Sequence, residues 1–322
     1  MKENYTLQHR LALDNPYGSV VRVFRPQEDK ILVGIKNTAT IPNTLMKKLE
    51  KTGFALHTID KKSRLAGRAV DTELINPITG RWMSGSSSGT AVNVFAGIND
   101  LGIGNDGGGS VLAPAISVNI LGFISRLIEE ERIQRTKPNT DGIVAGNSIG
   151  FMARRRDILY KAIEDSIGVK PAEKAGRIIS DRKYEGIISE VVEVMDPLAP
   201  RNELYPYLKQ KLSECDVMIV TEGPIDLEGF GDSLFGHFDE RTRAIQNASR
   251  KGYVRVCNIA QATALAIPRE GYGMSVLLMC ESKKEKVARL LKAAEAFPDV
   301  NDELIERYFL DLNNYYMDEY EV

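Results

Sequence analysis

The amino-acid sequence predicts an α/β protein, and three observations carry that reading. Short apolar runs, among them ILVGI (31–35), VMIV (217–220) and SVLLMC (275–280), have the length of buried strands. Segments of helical period alternate with them; KKEKVARLLKAAEAF (283–297) sets Val287, Leu290, Leu291, Ala294 and Phe297 on one face. Hydrophobic residues make up 43% of the 322 positions, enough to fill a sizeable core between a sheet and its helices.

Along the chain, ILVGI forms a strand that closes at Lys36, just before the polar NTAT. TLMKKLEKTG (44–53) follows as a helix, with Thr44 as its cap and Gly53 as its stop. The stretch from about 125 to 210 is richer in charge and reads as a surface subdomain, yet no proline-, glycine- or serine-rich linker separates it from its flanks. A single domain over 1–322 is therefore expected. The acidic, aromatic end, 299–322, places Leu304, Tyr308, Phe309, Leu312 and Tyr316 near helical spacing, as a docked helix or a tail that meets a partner or a second copy. No period of 20 to 50 residues repeats.

Charge narrows the function classes. Forty-two basic against 44 acidic residues give a net charge of −2, so no overall field draws nucleic acid or anionic lipid to the chain. No stretch reaches the ~20 apolar residues of a membrane span. Cys215, Cys257 and Cys280 are odd in number and far apart, which fits free thiols and a cytoplasmic setting. Neither a metal-ligand spacing nor a cofactor motif is present. Gly102, Gly104 and Gly107 match G-x-G-x-x-G formally, but Pro114 interrupts the helix such a motif would open, and no acidic residue closes a second strand about 20 residues on.

The span MSGSSSGTAVNVFAGINDLGIGNDGGGSVLAPA (83–115) holds two hydroxyl-bearing, glycine-rich turns joined by a small apolar helix. Glycine and serine are ordinary turn residues. A serine nucleophile, however, needs a base and donors aimed at an oxyanion. His9, His57 and His237 sit in no triad motif, whereas a lysine at a strand end serves as a base when burial lowers its pKa. Lys36 occupies such a position.

The blocks GIKNTATIPNT, SGSSSGTAVNVFAG and GNDGGGSVLAPA, in that order, closely resemble those of the amidase signature family, with Ser86 and Ser110 24 residues apart. Similarity continues through GIVAGNSIGFMARRRDILYKAIEDSIG (142–168), CDVMIVTEGP (215–224) and the segment 264–297, so that it spans roughly residues 30–297. The resemblance implies an α/β/α sandwich around a mixed β-sheet and a Ser, cis-Ser, Lys triad. Carried over, Ser110 is the nucleophile, Ser86 the bridging serine after a cis peptide bond, and Lys36 the base. Ser87 and Asp106 support the network, and the amides of Gly107, Gly108, Gly109 and Ser110 form the oxyanion hole. Substrate contacts are expected at Ser84, Gly85, Leu112, Asn147 and Ile149.

Departures shape the expected specificity. Gly107 stands where the family has a threonine, Leu112 where it has an arginine, and Ser84 and Ser88 replace glycines. Leu112 suggests a more apolar substrate site. The chain is shorter than typical members, which suggests a more open pocket suited to a large or carrier-borne substrate; the partner expected is a small-molecule or carrier-borne amide. Glu222, Asp239 and Glu240 read as solvated loop charges. The function expected is amide hydrolysis through an acyl-enzyme on Ser110, without a cofactor. An acyl transferase or partner-dependent glutaminase or amidotransferase subunit is the first alternative, and a silent binding scaffold the second.

Overall fold

The computed structural model describes residues 2–63, 68–132, 138–139 and 141–315. Its first half comprises α1 (Lys2–Asp14), β1 (Val20–Val23), β2 (Ile31–Lys36), α2 (Asn43–Glu50), β3 (Phe54–Asp60), α3 (Ser88–Phe95), β4 (Leu101–Asp106), α4 (Leu112–Ser117), β5 (Leu121–Ser125), β6 (Ser148–Ala153) and α5 (Arg156–Ile167). The second half adds β7 (Ile178–Ser180), β8 (Glu190–Val191), α6 (Arg201–Glu214), β9 (Val217–Glu222), α7 (Glu240–Ala248), β10 (Ala262–Pro268), β11 (Ser275–Glu281) and α8 (Lys284–Ala294).

The eleven strands of the described residues join one sheet in the order β1-β3-β2-β4-β6-β5-β10-β11-β9-β7-β8. The β3-β2-β4 and β9-β7-β8 groups run parallel and the remaining pairs antiparallel. Strands β5 and β6 are buried at every position, and β10 likewise, because helices cover both faces there. On one face, Leu45, Met46 and Leu49 of α2, Leu159 and Ile163 of α5 and Leu290 and Leu291 of α8 pack on Val33, Phe123, Phe151 and Leu278. On the other, Val92 and Phe95 of α3, Leu112 and Ile116 of α4 and Leu204 and Leu208 of α6 pack on Ile124, Met152, Ala264 and Met279. This is the sandwich around a mixed sheet that the motifs imply.

Several local expectations need revision. Pro42 takes the cap position of α2, since its missing N–H leaves no donor to satisfy, and the Thr44 hydroxyl instead donates to Glu129 Oε2 at 2.8 Å. Gly53, at φ +104°, turns the chain into β3 two residues beyond the helix cap, Lys51. The stretch about 125–210 is not set apart on the surface: it supplies β6 to the sheet centre, α5 to one layer, and β7 and β8 to an edge. Near the C-terminus a helical turn at Glu303–Ile305 leads into Glu306–Leu310. Phe309 packs 5.3 Å from Phe95 and Tyr315 bonds Tyr17 at 2.6 Å, while Leu304 and Tyr308 stay exposed. The Leu312 side chain and Tyr316 lie outside the described residues.

The topology brings two strand ends together. β2 and β4 run parallel and in register from Val33 opposite Leu101 to Ile35 opposite Ile103, so Lys36 and Asp106 close adjacent strands at the same edge. Crevices outside the carboxyl ends of parallel strands are where open α/β sheets place their sites.

Candidate active site

Lys36, Ser86 and Ser110 meet at that edge. Lys36 ends β2 with 4% exposure, and its Nζ stands 2.7 Å from Ser86 Oγ. Ser86 Oγ lies 3.2 Å from Ser110 Oγ, completing a chain of three heteroatoms. Burial pulls the Lys36 ammonium down to about 7; Asp106 opposes that fall and Lys62 adds to it. A lysine so placed is available as a neutral amine near neutral pH.

Asp106 shapes the turn that carries Ser110. Its fully buried carboxylate accepts from the Gly109 and Val111 amides, each at 2.7 Å, and from Leu112 N at 3.4 Å. Gly109 adopts φ +93°, and a Cβ there would stand 3.2 Å from Val254 O, so only glycine lets the chain turn at this point. The Ser87 amide donates to Ser110 O at 3.2 Å and ties the two serine turns together. Ser87 supports the arrangement through its backbone, since its buried hydroxyl has no hydrogen-bond partner.

Two expectations about these turns are corrected. The peptide bond before Ser86 is trans; Gly223–Pro224 is the cis bond among the described residues. A cis bond ahead of a non-proline residue costs about 3–4 kcal/mol, and here Gly85 turns the chain with φ +98° instead. Gly109 is not an oxyanion donor, because its amide is already given to Asp106. The amides of Gly107, Gly108 and Ser110, which have no acceptor among the described residues, remain for that role.

A cavity of about 390 Å³ opens over Ser86, Gly107, Gly108 and Ser110. Asn147 lines it. Ser84 does not: its hydroxyl donates to Asp226 and accepts from Gly231 N at 2.5 Å, fastening the loop behind the site. Gly85 is packed against Pro114, and Leu112 and Ile149 are buried in the hydrophobic layers, so none of the three lines the cavity. Nor is the cavity apolar. Arg68, Arg201, Lys251 and Arg255 line it, none of them marked by a local motif because they come from distant parts of the chain, along with Asn105, next to Asp106 in the GNDGGGS block.

Elsewhere, His9 Nδ1 and His57 Nε2 pair at 3.2 Å beneath α1, and His57 bonds Asn99, in a polar cluster apart from the serines. Glu222 is not a solvated loop charge. It is 2% exposed, burial pushes it up to about 7, and it accepts from the Gly252 and Tyr253 amides. Asp239 caps α7 in a reciprocal pair with Thr242. Among the described residues no three His, Cys, Asp or Glu side chains gather as metal ligands, and no helix is long and apolar enough to cross a membrane.

Residues 73–126 match the family model Amidase. The A subunit of the glutamyl-tRNA(Gln) amidotransferase of Methanococcus maripaludis strain C6 is 29% identical over 188 residues, 52% of this chain and 41% of its own. Its counterpart in strain C7 is 28% identical over 232 residues, 63% of this chain and 51% of its own. The chain thus spans about half the length of the curated relatives it matches. Among solved structures, the A subunit of a glutamyl-tRNA(Gln) amidotransferase from Thermotoga maritima superposes with a TM-score of 0.61 at 14% identity, over 94% of each chain. A 6-aminohexanoate cyclic dimer hydrolase superposes at 0.62 with 12% identity, over 91% of this chain and 92% of its own.

Proposed function

Because the chain carries amidase-family sequence over residues 73–126 and that family's fold over most of its length, we propose that it hydrolyses a linear amide through an acyl-enzyme on Ser110. The single observation that carries this reading is the continuous chain from Lys36 Nζ through Ser86 Oγ to Ser110 Oγ, at 2.7 and 3.2 Å, with a lysine held to about 7. With Lys36 neutral, both hydroxyls rotate so that Ser110 donates to Ser86 and Ser86 donates to Lys36.

Attack then proceeds from these proton positions. Ser110 Oγ bonds to the amide carbon as its proton passes to Ser86 Oγ and the Ser86 proton passes to Lys36 Nζ. The amides of Gly107, Gly108 and Ser110 receive the oxyanion, held in place by the Asp106 carboxylate behind the turn. Return of the proton through Ser86 to the departing nitrogen breaks the C–N bond. Water repeats the sequence on the ester, releasing an acid and restoring Ser110. No cofactor is required by these steps.

Turnover of a panel of primary amides, lost in Ser110→Ala with the fold intact, tests the reading; full turnover in that variant would refute it. A second reading, an amidotransferase subunit that passes ammonia to a partner, is favoured by the names of the curated relatives. Glutaminase activity that appears only with a co-purified partner would select it. In either case the chemistry belongs to a reducing, cytoplasmic setting, with the thiols of Cys215, Cys257 and Cys280 buried and unpaired.

A further inference from the structure

The wall of the cavity beside the nucleophile carries more positive charge than its own carboxylates offset. Arg68 pairs with Asp232 at 3.1 Å and Arg201 with Asp141 at 2.6 Å. Arg255 spends its guanidinium on the carbonyls of Pro197, Ala199 and Gly252. Lys251 differs from all three. It is 8% exposed, lines the cavity, and its Nζ makes no hydrogen bond or ion pair among the described residues.

Its position is tightly defined. Lys251 Cε lies 3.5 Å from where a Cβ on Gly109 would stand, and Lys251 Cδ 2.5 Å from the same point on Gly231. The stem is thus laid between two glycines, and the ammonium sits next to the turn that presents Ser110. Arg201 Nη1 lies 3.5 Å from the Cβ position of Gly108 on the same turn. Burial and the neighbouring Arg201 and Arg255 push the Lys251 ammonium towards its neutral form, with Asp226 and Asp106 as the opposing charges. A buried cation without a partner costs free energy that a bound anion would return.

We propose that the amide cleaved at Ser110 bears its own carboxylate, a few bonds from the scissile carbonyl, and that Lys251 binds it with Arg201 and Arg255 supplying positive potential. This rests on the hydrolase reading for the identity of the reacting group, and not for the anion site itself. Asn105 and Asn147, whose side-chain oxygens are buried in the cavity wall without donors, complete a polar lining for such a molecule.

The test separates binding from chemistry by using Ser110→Ala protein, which keeps the cavity. Titration calorimetry compares succinamate with butyramide, the neutral amide of equal chain length. Succinamate should bind at least about tenfold more tightly, and the preference should fall to within about twofold when Lys251→Met is added. Lys251→Gln, which keeps a polar end, serves should the Met variant fail to fold. Equal affinities in Ser110→Ala, no succinamate binding, or a preference that survives both substitutions overturns the proposal. In protein with Ser110 intact, no hydrolysis alongside a preserved binding preference strikes the hydrolase reading alone. Equal kcat/KM for the two amides strikes the anion site alone.

Discussion

Raising the pH from 5 to 8 should switch on the nucleophilicity of Ser110, and replacing Lys36 by methionine should abolish that dependence while stabilising the fold. Only a neutral Lys36 accepts the proton that Ser86 relays. With the group near 7, reaction of Ser110 with a fluorophosphonate should rise about tenfold per pH unit from 5 to 6 and level off above 8. The gap between the ordinary lysine value of 10.5 and about 7 corresponds to roughly 5 kcal/mol of burial cost. Below pH 7 the lysine is charged in both folded and unfolded chains, and the fold bears that cost in full. Between 7 and 10.5 only the unfolded chain keeps the proton, so stability climbs with pH; above 10.5 the cost has gone. Lys36→Met removes the charge and also the 2.7 Å bond to Ser86, worth about 1 kcal/mol. The variant should therefore unfold at higher guanidinium at pH 6, by up to about 4 kcal/mol, with a gain that closes toward pH 10. A labelling rate flat from pH 5 to 8, or a stability change of the same size at pH 6 and pH 10, would refute the claim that Lys36 is a buried base.

Other expectations concern the turn and the relay. Asp106→Asn weakens the bonds to the Gly109 and Val111 amides; denaturant titration should show a loss of about 2–4 kcal/mol, with slower labelling of Ser110. Gly109→Ala forces a side chain into φ +93° beside Val254 O, and thermal unfolding should report a cost of about 1–3 kcal/mol. Ser86→Ala leaves Ser110 in place but cuts its path to Lys36, so labelling should slow by about 10²-fold or more at pH 8, with a stability loss of about 1 kcal/mol from the lost bond to Lys36. A Ser86→Ala protein that labels at the wild-type rate would remove the bridging serine from the mechanism.

Features that are local in the chain are legible in the sequence, and features made by the fold are not. β2, β9, β11 and α8 are readable because each buries a short apolar run or one apolar stripe. Lys36, Ser86 and Ser110 are readable because their motifs are contiguous, and the geometry brings all three within hydrogen-bond reach. Leu112 misleads: replacing an arginine suggests an apolar site, but that side chain points into the layer under α4, and it is Lys251 and Arg201 that set the character of the cavity. Those residues lie in α6 and in the loop before β10, and nothing in their neighbours along the chain marks them. The trans bond before Ser86 and the loss of the Gly109 amide to Asp106 depend on backbone geometry that residue identity does not specify. Glu222 reads as a surface charge in the sequence because its partners, the Gly252 and Tyr253 amides, are about 30 residues away.

The most direct test of the central claim is peptide-mapped mass spectrometry after fluorophosphonate treatment at pH 8. One adduct, on the peptide containing Ser110, present in the wild type and absent from Ser110→Ala and Lys36→Met, is the expected result. An adduct on another residue, none on the folded wild type, or one on Ser110 that persists in Lys36→Met would contradict it.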